Sequence, residues 1–214
     1  MNHKYLPLIA AILGILLLYS ISLFNQPIVI SIDQIENYEG RTITTEGKVI
    51  EYQENKYENQ LITIQNENYS LLLFLENPID VHNGDEIKAT GTVQRYNEDW
   101  ELIIDSQENI LIINKWENCT ISLNDIAQNP THYIQQNINI TGYVDLIFDD
   151  YFHLKDENQR YTFFVKKPYK LNTTLYSGKL VNIKAFFNYD PEQTRYVFEL
   201  TDENHSITTV MENP

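Results

Sequence analysis

Aromatic and basic side chains are interleaved between residues 160 and 170, and this stretch holds the residue types best suited to binding chemistry. Aromatic rings can stack on nucleic-acid bases while Lys and Arg pair with phosphates. Successive side chains of a strand point to opposite faces, so one face must be core and the other offers one or two aromatic rings at most. The alternative is a strand whose basic end is simply solvated. The predicted ligand-binding residues are Arg160, Phe164, Lys166, Lys167 and Tyr169.

Residues that could bind a metal or act as nucleophiles are scattered along the chain. The five His residues include no pair at ligand spacing. His153 lies between Phe152 and Leu154, which indicates a half-buried strand residue. Cys119 is the only cysteine, so it can form neither an internal disulfide nor a thiolate cluster. No phosphate loop, HExxH helix, nucleophile elbow or EF-hand spacing occurs. We predict no metal, no cofactor and no enzymatic activity, although a paired-carboxylate hydrolase stays open.

The chain is acidic, with a formal net charge of -15. Residues 26–120 hold 6 Lys and Arg against 18 Asp and Glu, whereas residues 121–214 hold 8 against 12. The first half therefore repels phosphate backbones and anionic lipid surfaces. Nucleic acid is a possible partner but is disfavoured by this charge. Solubility explains the acidity without a specific cationic ligand.

An uncharged apolar segment runs from Tyr5 to Phe24. A helix rises about 1.5 Å per residue, so the segment spans roughly 30 Å, the thickness of a hydrocarbon core. A lone segment in lipid must be helical to satisfy its backbone. We predict that residues 1–25 form an uncleaved transmembrane signal anchor. The alternatives are a cleaved signal peptide, with a poor site at Ser20-Ile21-Ser22, and a buried helix of a soluble domain.

The orientation of this anchor follows from the basic residues around it. Lys4 precedes the segment, and the next Lys or Arg after it is Arg41. Because positive residues favour the cytoplasmic side, we expect a single-pass protein with a cytoplasmic amino terminus. The bulk of the chain would then be extracytoplasmic.

After Phe24 the chain shows short apolar-polar alternations bounded by Asn, Asp, Gly and Pro, with no sustained helical periodicity. This pattern predicts an all-β fold. Helical turns are expected at Ile32–Tyr38 and Leu123–Asn129, with Ser31 and Ser122 as N-caps. The predicted strands of the first half are Thr42–Tyr52, Gln60–Gln65, Ser70–Leu75, Asp85–Gln94 and Glu101–Ile113.

The second half repeats the plan of the first after roughly 90 to 96 residues. The segment Ser31–Ile35 returns as Ser122–Ile126, and Gly84–Ala89 returns as Gly178–Ala185. A period of this length indicates duplication of a whole small domain. We therefore predict one domain at residues 26–118 and a second at 119–214.

The best-preserved motif lies at Gly84–Val93 and reads Gly-Asp-x-Ile-x-Ala-x-Gly-x-Val. With the Ser-led turn and the x-Gly-x-Val strand before it, this motif resembles the OB-fold nucleic-acid-binding family. The resemblance implies two tandem five-stranded OB-like Greek-key barrels, preceded by one transmembrane α-helix. The second copy lacks the second Gly, at Ala185-Phe186-Phe187. The helix usual between strands three and four looks absent, because Glu76–Asn83 and Pro168–Tyr176 are short.

The haem chaperones of cytochrome maturation resemble this chain in having one N-terminal helix and an external barrel. Their haem-binding His or Cys is followed four residues later by Tyr. Here Leu123 stands at that offset from Cys119, and Glu157 at that offset from His153. We therefore do not expect haem transfer.

Together these patterns predict a membrane-anchored binding or assembly module, with a possible protein partner outside the cytoplasm. The barrel face and the hairpin tips are the expected contact surface. The alternative is a cytoplasm-facing protein that binds single-stranded nucleic acid through the 160–170 stretch. That alternative requires an affinity that falls steeply with salt.

Overall fold

The computed structural model describes residues 11–18, 20, 27–57, 59–167 and 174–210 of the chain. Residues 11–18 and 20 are helical. Within these ranges no helix has the length and apolar character that a membrane crossing requires. Part of the predicted anchor, residues 1–25, lies outside the described residues.

The first sheet closes into a five-stranded barrel. Its strands are β1 (Ile28–Val29), β2 (Thr42–Glu54), β3 (Gln60–Asn66), β4 (Tyr69–Leu75), β5 (Glu86–Tyr96), β6 (Asp99–Ile104) and β7 (Ile110–Asn114). Neighbours around the ring are β2, β3, β4, β6 and β5, and β5 pairs back to β2. The β4–β6 pair is parallel and the other four are antiparallel. This order and these directions are those of an OB-type Greek-key barrel.

The second sheet repeats this ring. Its strands are β8 (Thr120–Ile121), β9 (Gln136–Ile147), β10 (Tyr151–Lys155), β11 (Thr162–Lys166), β12 (Leu180–Asp190), β13 (Arg195–Glu199) and β14 (Ser206–Thr209). The order around the ring is β9, β10, β11, β13 and β12, with β12 pairing back to β9, and the β11–β13 pair is again parallel. The chain is thus mostly β and contains two five-stranded OB-like barrels, as the sequence predicts. The bounds 26–118 and 119–214 stay predictions.

Alternation along the strands decides which side chains fill each barrel. In β11, Phe163 and Val165 are buried, whereas Thr162 and Lys166 are exposed. Each buried side chain of this size contributes about 1.5–3 kcal/mol to folding. The first core is built of aliphatic residues, and the second also contains phenylalanine rings that contact one another. These rings belong to Phe163, Phe187 and Phe198.

A helical turn precedes each barrel, as predicted. Ile32–Tyr38 is a 3-10 helix and Leu123–Gln128 is an α-helix. Residues three apart share one face of a helix, so each turn can bury two aliphatic side chains against its barrel. The buried pairs are Ile32 with Ile35 and Leu123 with Ile126.

The two predicted N-caps differ. The Ser122 hydroxyl oxygen accepts the backbone N–H of Asp125 at 3.1 Å, which confirms this cap. Ser31 occupies the N-cap position of its helix but makes no capping bond with its side chain. A cap therefore supports the second helix and not the first.

The predicted fifth strand, Glu101–Ile113, is wrong as a single element. The structure divides it into β6 and β7, with a 3-10 turn at Gln107–Asn109 between them. The Ser106 hydroxyl accepts the N–H of Glu108 at 3.4 Å, and such local bonds compete with strand pairing. β6 lies between β4 and β5, whereas β7 pairs with the other part of β5.

The loop between β4 and β5, residues 76–85, contains no helix, as predicted. The equivalent loop of the second barrel includes residues 168–173, which lie outside the described residues.

Candidate binding face

The candidate site lies on the outer surface of β10, β11 and β13 in the second barrel. His153 of β10 stands directly opposite Phe164 of β11, and both point away from the core. β13 runs parallel to β11 with Val197 beside Phe164, so Arg195 reaches the same surface. We call this surface the aromatic face and define it by five residues: Phe148, Tyr151, His153, Phe164 and Arg195.

The rings of the aromatic face contact one another continuously. Phe148 stacks on Tyr151 with ring centroids 4.6 Å apart and planes 22° apart. The His153 ring meets the Phe164 ring edge to face at 4.7 Å. Tyr151 and Phe164 are 5.7 Å apart, which closes the group. Each such pair contributes about 0.5–1.5 kcal/mol beyond burial, so the face is pre-organised.

Arg195 joins this group as a cation on aromatic rings. Its guanidinium carbon lies 4.0 Å from the centroid of Phe164 and 5.3 Å from that of Tyr151. A guanidinium held in this way keeps its charge and its outer N–H donors at the surface. The face therefore offers a positive group at its centre.

Two polar atoms in the face are left unpaired. In the described part of the chain, the Nε atom of Arg195 and the Nε2 atom of His153 are buried without a hydrogen-bond partner. An unpaired buried polar atom costs about 1–3 kcal/mol, and such atoms are uncommon in folded proteins.

The two neighbouring lysines are both bound to groups of the barrel, and one of them forms an ion pair. The Lys166 Nζ atom lies 2.7 Å from a carboxylate oxygen of Glu199, and this hydrogen bond raises the pKa of Lys166. Lys167 donates its Nζ hydrogen bond to the backbone oxygen of Phe148. The lysines are thus tied to the barrel and do not form an open track for phosphates.

An exposed apolar segment continues the aromatic face at the end of β9. Leu146, Ile147 and Phe148 are 54%, 40% and 41% exposed. Ile147 pairs with the core residue Phe152, so it lies on the opposite side of the strand from Phe148. The segment therefore adds exposed apolar surface beside the aromatic face.

The first barrel presents a different surface at the equivalent strands. Phe74 of β4 lies beside Leu61 of β3 and Ile103 of β6, all of them half-buried. Glu101 of the same surface is buried and accepts a hydrogen bond from the Gln94 side chain. This surface combines the Phe74 ring with aliphatic side chains and a carboxylate, so the two barrels share a fold but differ at this face.

The five residues predicted from the sequence are only partly brought together. Phe164 lies at the centre of the aromatic face, and Lys166 and Lys167 lie at its border. Arg160 is exposed in the turn between β10 and β11. Tyr169 lies outside the described residues. As a binding set these residues stay a prediction.

Sequence reasoning missed the other members of the face: Phe148, Tyr151, His153 and Arg195. They come from three separate segments, and only strand register brings them together. Alternation of aromatic and His residues at Tyr151–His153 is the one signal that could have suggested the partner strand. Among the described residues, no group of three His, Cys, Asp or Glu side chains is arranged to hold a metal ion.

Comparisons with known proteins assign no family. No family model and no curated protein matches the chain. The OBody AM1L10, solved bound to hen egg-white lysozyme, is 14% identical with a TM-score of 0.36, over 42% of this chain and 96% of its own. A murine DNA-binding protein, solved with double-stranded DNA, is 12% identical with a TM-score of 0.33, and the match covers 81% of this chain and 98% of that protein. An aspartyl-tRNA synthetase from Entamoeba histolytica is 10% identical with a TM-score of 0.34, and the match covers 49% of this chain and 26% of the synthetase. At these values the OB-like description rests on the strand order and not on these proteins.

Proposed function

We propose that the chain is a membrane-anchored, extracytoplasmic binding module that engages a protein partner through the aromatic face of its second barrel, and that it is not an enzyme. The observation that carries this proposal is the group of stacked rings with Arg195 held over Phe164 at 4.0 Å. Aromatic residues and Arg dominate the energetic centres of protein interfaces.

The apolar segment at the end of β9 supports a protein rather than a nucleic acid as the partner. Leu146 and Ile147 leave exposed aliphatic surface next to Phe148, which contributes to protein association but has no use on a phosphate backbone. The ion pair of Lys166 with Glu199 also removes a positive charge that a nucleic acid would need.

The chemistry of the partner surface follows from the groups around the face. Its centre should be largely apolar, to cover Phe148 and Phe164, with a carboxylate opposite the Arg195 guanidinium. A second carboxylate should lie at its border, where Lys167 is bound to the Phe148 oxygen. Complementary charges of this kind steer association and fix the orientation of a complex.

The anchored, extracytoplasmic placement rests on sequence. The uncharged segment from Tyr5 to Phe24 is long enough to span a hydrocarbon core. Lys4 on one side and the lack of basic residues before Arg41 on the other favour export of the barrels.

Binding of single-stranded nucleic acid is the second candidate. It is favoured by the position of Tyr151 and Phe164 on the strands that OB folds use to stack bases, next to a cationic Arg195. The acidic first barrel opposes it.

Photo-crosslinking in intact cells of the source organism tests the proposal. A photoreactive amino acid replaces Phe164 in the full chain, and in a matched control it replaces Phe74, the third-strand aromatic residue of the first barrel. We expect a protease-sensitive adduct at Phe164 and none at Phe74. Combining the probe with Arg195→Ala should reduce the adduct.

Two results would overturn the proposal. A nuclease-sensitive adduct at Phe164, with oligonucleotide binding that weakens as salt rises, would establish the second candidate instead. Equal adducts at Phe164 and Phe74, unaffected by Arg195→Ala, would mean that the aromatic face has no selective partner.

A further inference from the structure

The two barrels meet at a junction formed by the β4–β5 loop of the first and two segments of the second. The backbone N–H of Asn137 donates to the Asn83 oxygen at 3.2 Å. The Asn83 side-chain amide donates to the Gln135 oxygen, also at 3.2 Å. The Asn204 amide lies 3.3 Å from the Nε2 atom of His82. Glu117 of the first barrel adds an ion pair with Lys184 at 3.0 Å and accepts the Asn139 side-chain amide at its backbone oxygen at 2.6 Å.

A buried carboxylate and a tryptophan hold the first-barrel side of the junction. Asp85 is fully buried and accepts the N–H groups of His82 and Trp116, each at 2.9 Å. The Trp116 ring is buried and meets the His205 ring edge to face at 5.9 Å. The aromatic contact ties His205 of the second barrel to the first.

The hydrogen bonds of His205 require a neutral ring. Its Nδ1 atom receives the backbone N–H groups of Thr201 and Asp202, both at 3.0 Å. An Nδ1 atom that accepts carries no proton, so the ring proton is on Nε2 and is donated to the Asn137 oxygen at 3.0 Å. A second proton on this ring would place an N–H group against two N–H donors.

His82 is under a weaker constraint. The amide nitrogen of Asn204 donates, so the Nε2 atom of His82 accepts in this arrangement. Protonation of His82 removes this acceptor, and the Asn204 amide must then turn to present its oxygen. The hydrogen bonds of the junction as they stand therefore need both rings neutral.

We propose that this junction is an acid-sensitive latch, which holds the barrels together at neutral pH and releases them when His82 and His205 become protonated. The released state would change the position of the aromatic face relative to the first barrel. Histidine is the side chain whose ordinary titration lies in this pH range.

Burial and the charged groups around the pair act on the pKa of His205 in opposite directions, and burial is the larger cause. Burial lowers the pKa of His205; the Asp202 charge opposes this shift and His82 adds to it. The acidic groups that face the pair are Asp80, whose carboxylate is 3.9 Å from His82, and the buried Asp85. Lys115 pairs with Asp80 at 3.3 Å.

Tyr52 is the remaining titratable neighbour, with its ring 6.0 Å from that of His82. Burial, followed by the nearby carboxylates, raises the pKa of Tyr52, so this group stays neutral at acid and neutral pH. Because the pKa of His205 is lowered in the folded protein, the stability that the neutral ring gives to the junction is fully present above its ordinary pKa of about 6.5. That contribution is lost as pH falls through the lowered value.

A distance measurement in the full chain tests the latch. Spin labels are attached to Cys introduced at the exposed positions Glu36 and Glu157, one in each barrel, with Cys119→Ser to remove the native thiol. We expect one narrow distance at about pH 7.5 and its loss to a broad, longer distribution at about pH 5. Circular dichroism at both pH values should show that the barrels stay folded.

Three variants separate the latch from general acid effects. His205→Asn keeps an acceptor near Nδ1 and cannot be protonated, so it should retain the narrow distance at the lower pH. His82→Gln provides a second variant if His205→Asn misfolds. His153→Gln alters a histidine away from the junction and should respond to acid as the parent does.

An unchanged distance at the lower pH would overturn the proposal. Equal broadening in the parent, His205→Asn and His82→Gln would do so too, because the response would then not depend on these rings. Loss of the β-sheet signal together with the narrow distance would show acid unfolding in place of release.

Discussion

Glycine at position 84 should be required by the contact between barrels, and its counterpart at 178 should not. Both residues have positive φ, +101° and +84°, and both donate a backbone N–H to the first strand of their own barrel. A Cβ atom on Gly84 would lie 2.5 Å from the Asn137 oxygen of the other barrel and 3.1 Å from the Trp116 Cβ. A Cβ on Gly178 would have no neighbour within 4 Å. Substitution of Gly84 and of Gly178 therefore differs in one respect, the contact that the new Cβ atom makes with the other barrel.

The expected magnitudes follow from these two differences. Alanine at a left-handed position costs roughly 1–2 kcal/mol, and Gly84→Ala and Gly178→Ala both bear that cost. Cβ atoms do not approach other atoms closer than 3.0 Å, so in Gly84→Ala the Asn137 backbone must also move by about half an ångström. Overpacking of this kind adds about 1–3 kcal/mol.

Urea unfolding of the full chain, followed by tryptophan fluorescence, measures the cost, because Trp116 lies at the junction. We expect Gly178→Ala to show only the backbone cost and Gly84→Ala to lose about 1–3 kcal/mol more. If the clash separates the two barrels instead of destabilising the first barrel, Gly84→Ala should show a broadened interdomain distance at neutral pH. Equal stability of the two variants, with an unchanged distance in both, would refute the proposed junction.

Two further predictions concern local hydrogen bonds. Ser122→Ala should lower stability by about 1 kcal/mol in thermal unfolding, whereas Ser31→Ala, which removes no capping bond, should have little effect; the reverse order would contradict the cap assignment. Asp85→Asn should destabilise by about 1–3 kcal/mol, because its amide would face one of the two N–H groups that the carboxylate now accepts. Unfolding of Asp85→Asn at the parental urea concentration would show that this carboxylate does not organise the junction.

The fold was predictable to a large extent because local patterns determine OB-like strands. The alternation of apolar and polar residues identified strands β2 to β5 to within two residues at each end. The division of Glu101–Ile113 was missed because apolar residues continue on both sides of Gln107–Asn109 without Gly or Pro. The Ser106 bond to Glu108 breaks the strand there, and a Ser-led turn is a weaker signal than Gly or Pro.

The candidate site was less predictable because it depends on register and not on contiguous sequence. The 160–170 stretch contains Phe164, but the rings that pack on Phe164 come from β10 and the segment before it. Arg195 arrives from β13, whose parallel pairing with β11 cannot be read from either strand alone. The partial neutralisation of Lys166 by Glu199 depends on the same pairing.

The interdomain junction was hidden for a similar reason. His82 and His205 are far apart in sequence and neither belongs to a recognisable motif. Their relevance comes from hydrogen-bond direction, since each ring accepts a bond that only the neutral form can accept. Trp116 of the same junction is buried, and its contact with His205 depends on the folded arrangement of both barrels.

Protease accessibility in intact cells tests most directly the claim that the barrels act outside the cytoplasm. Trypsin added to whole cells or right-side-out vesicles should cleave at exposed basic residues such as Arg160 and remove an epitope placed at the carboxyl terminus. The account predicts digestion without opening the membrane. Protection until detergent is added would contradict it, and binding of single-stranded nucleic acid would then become the leading function.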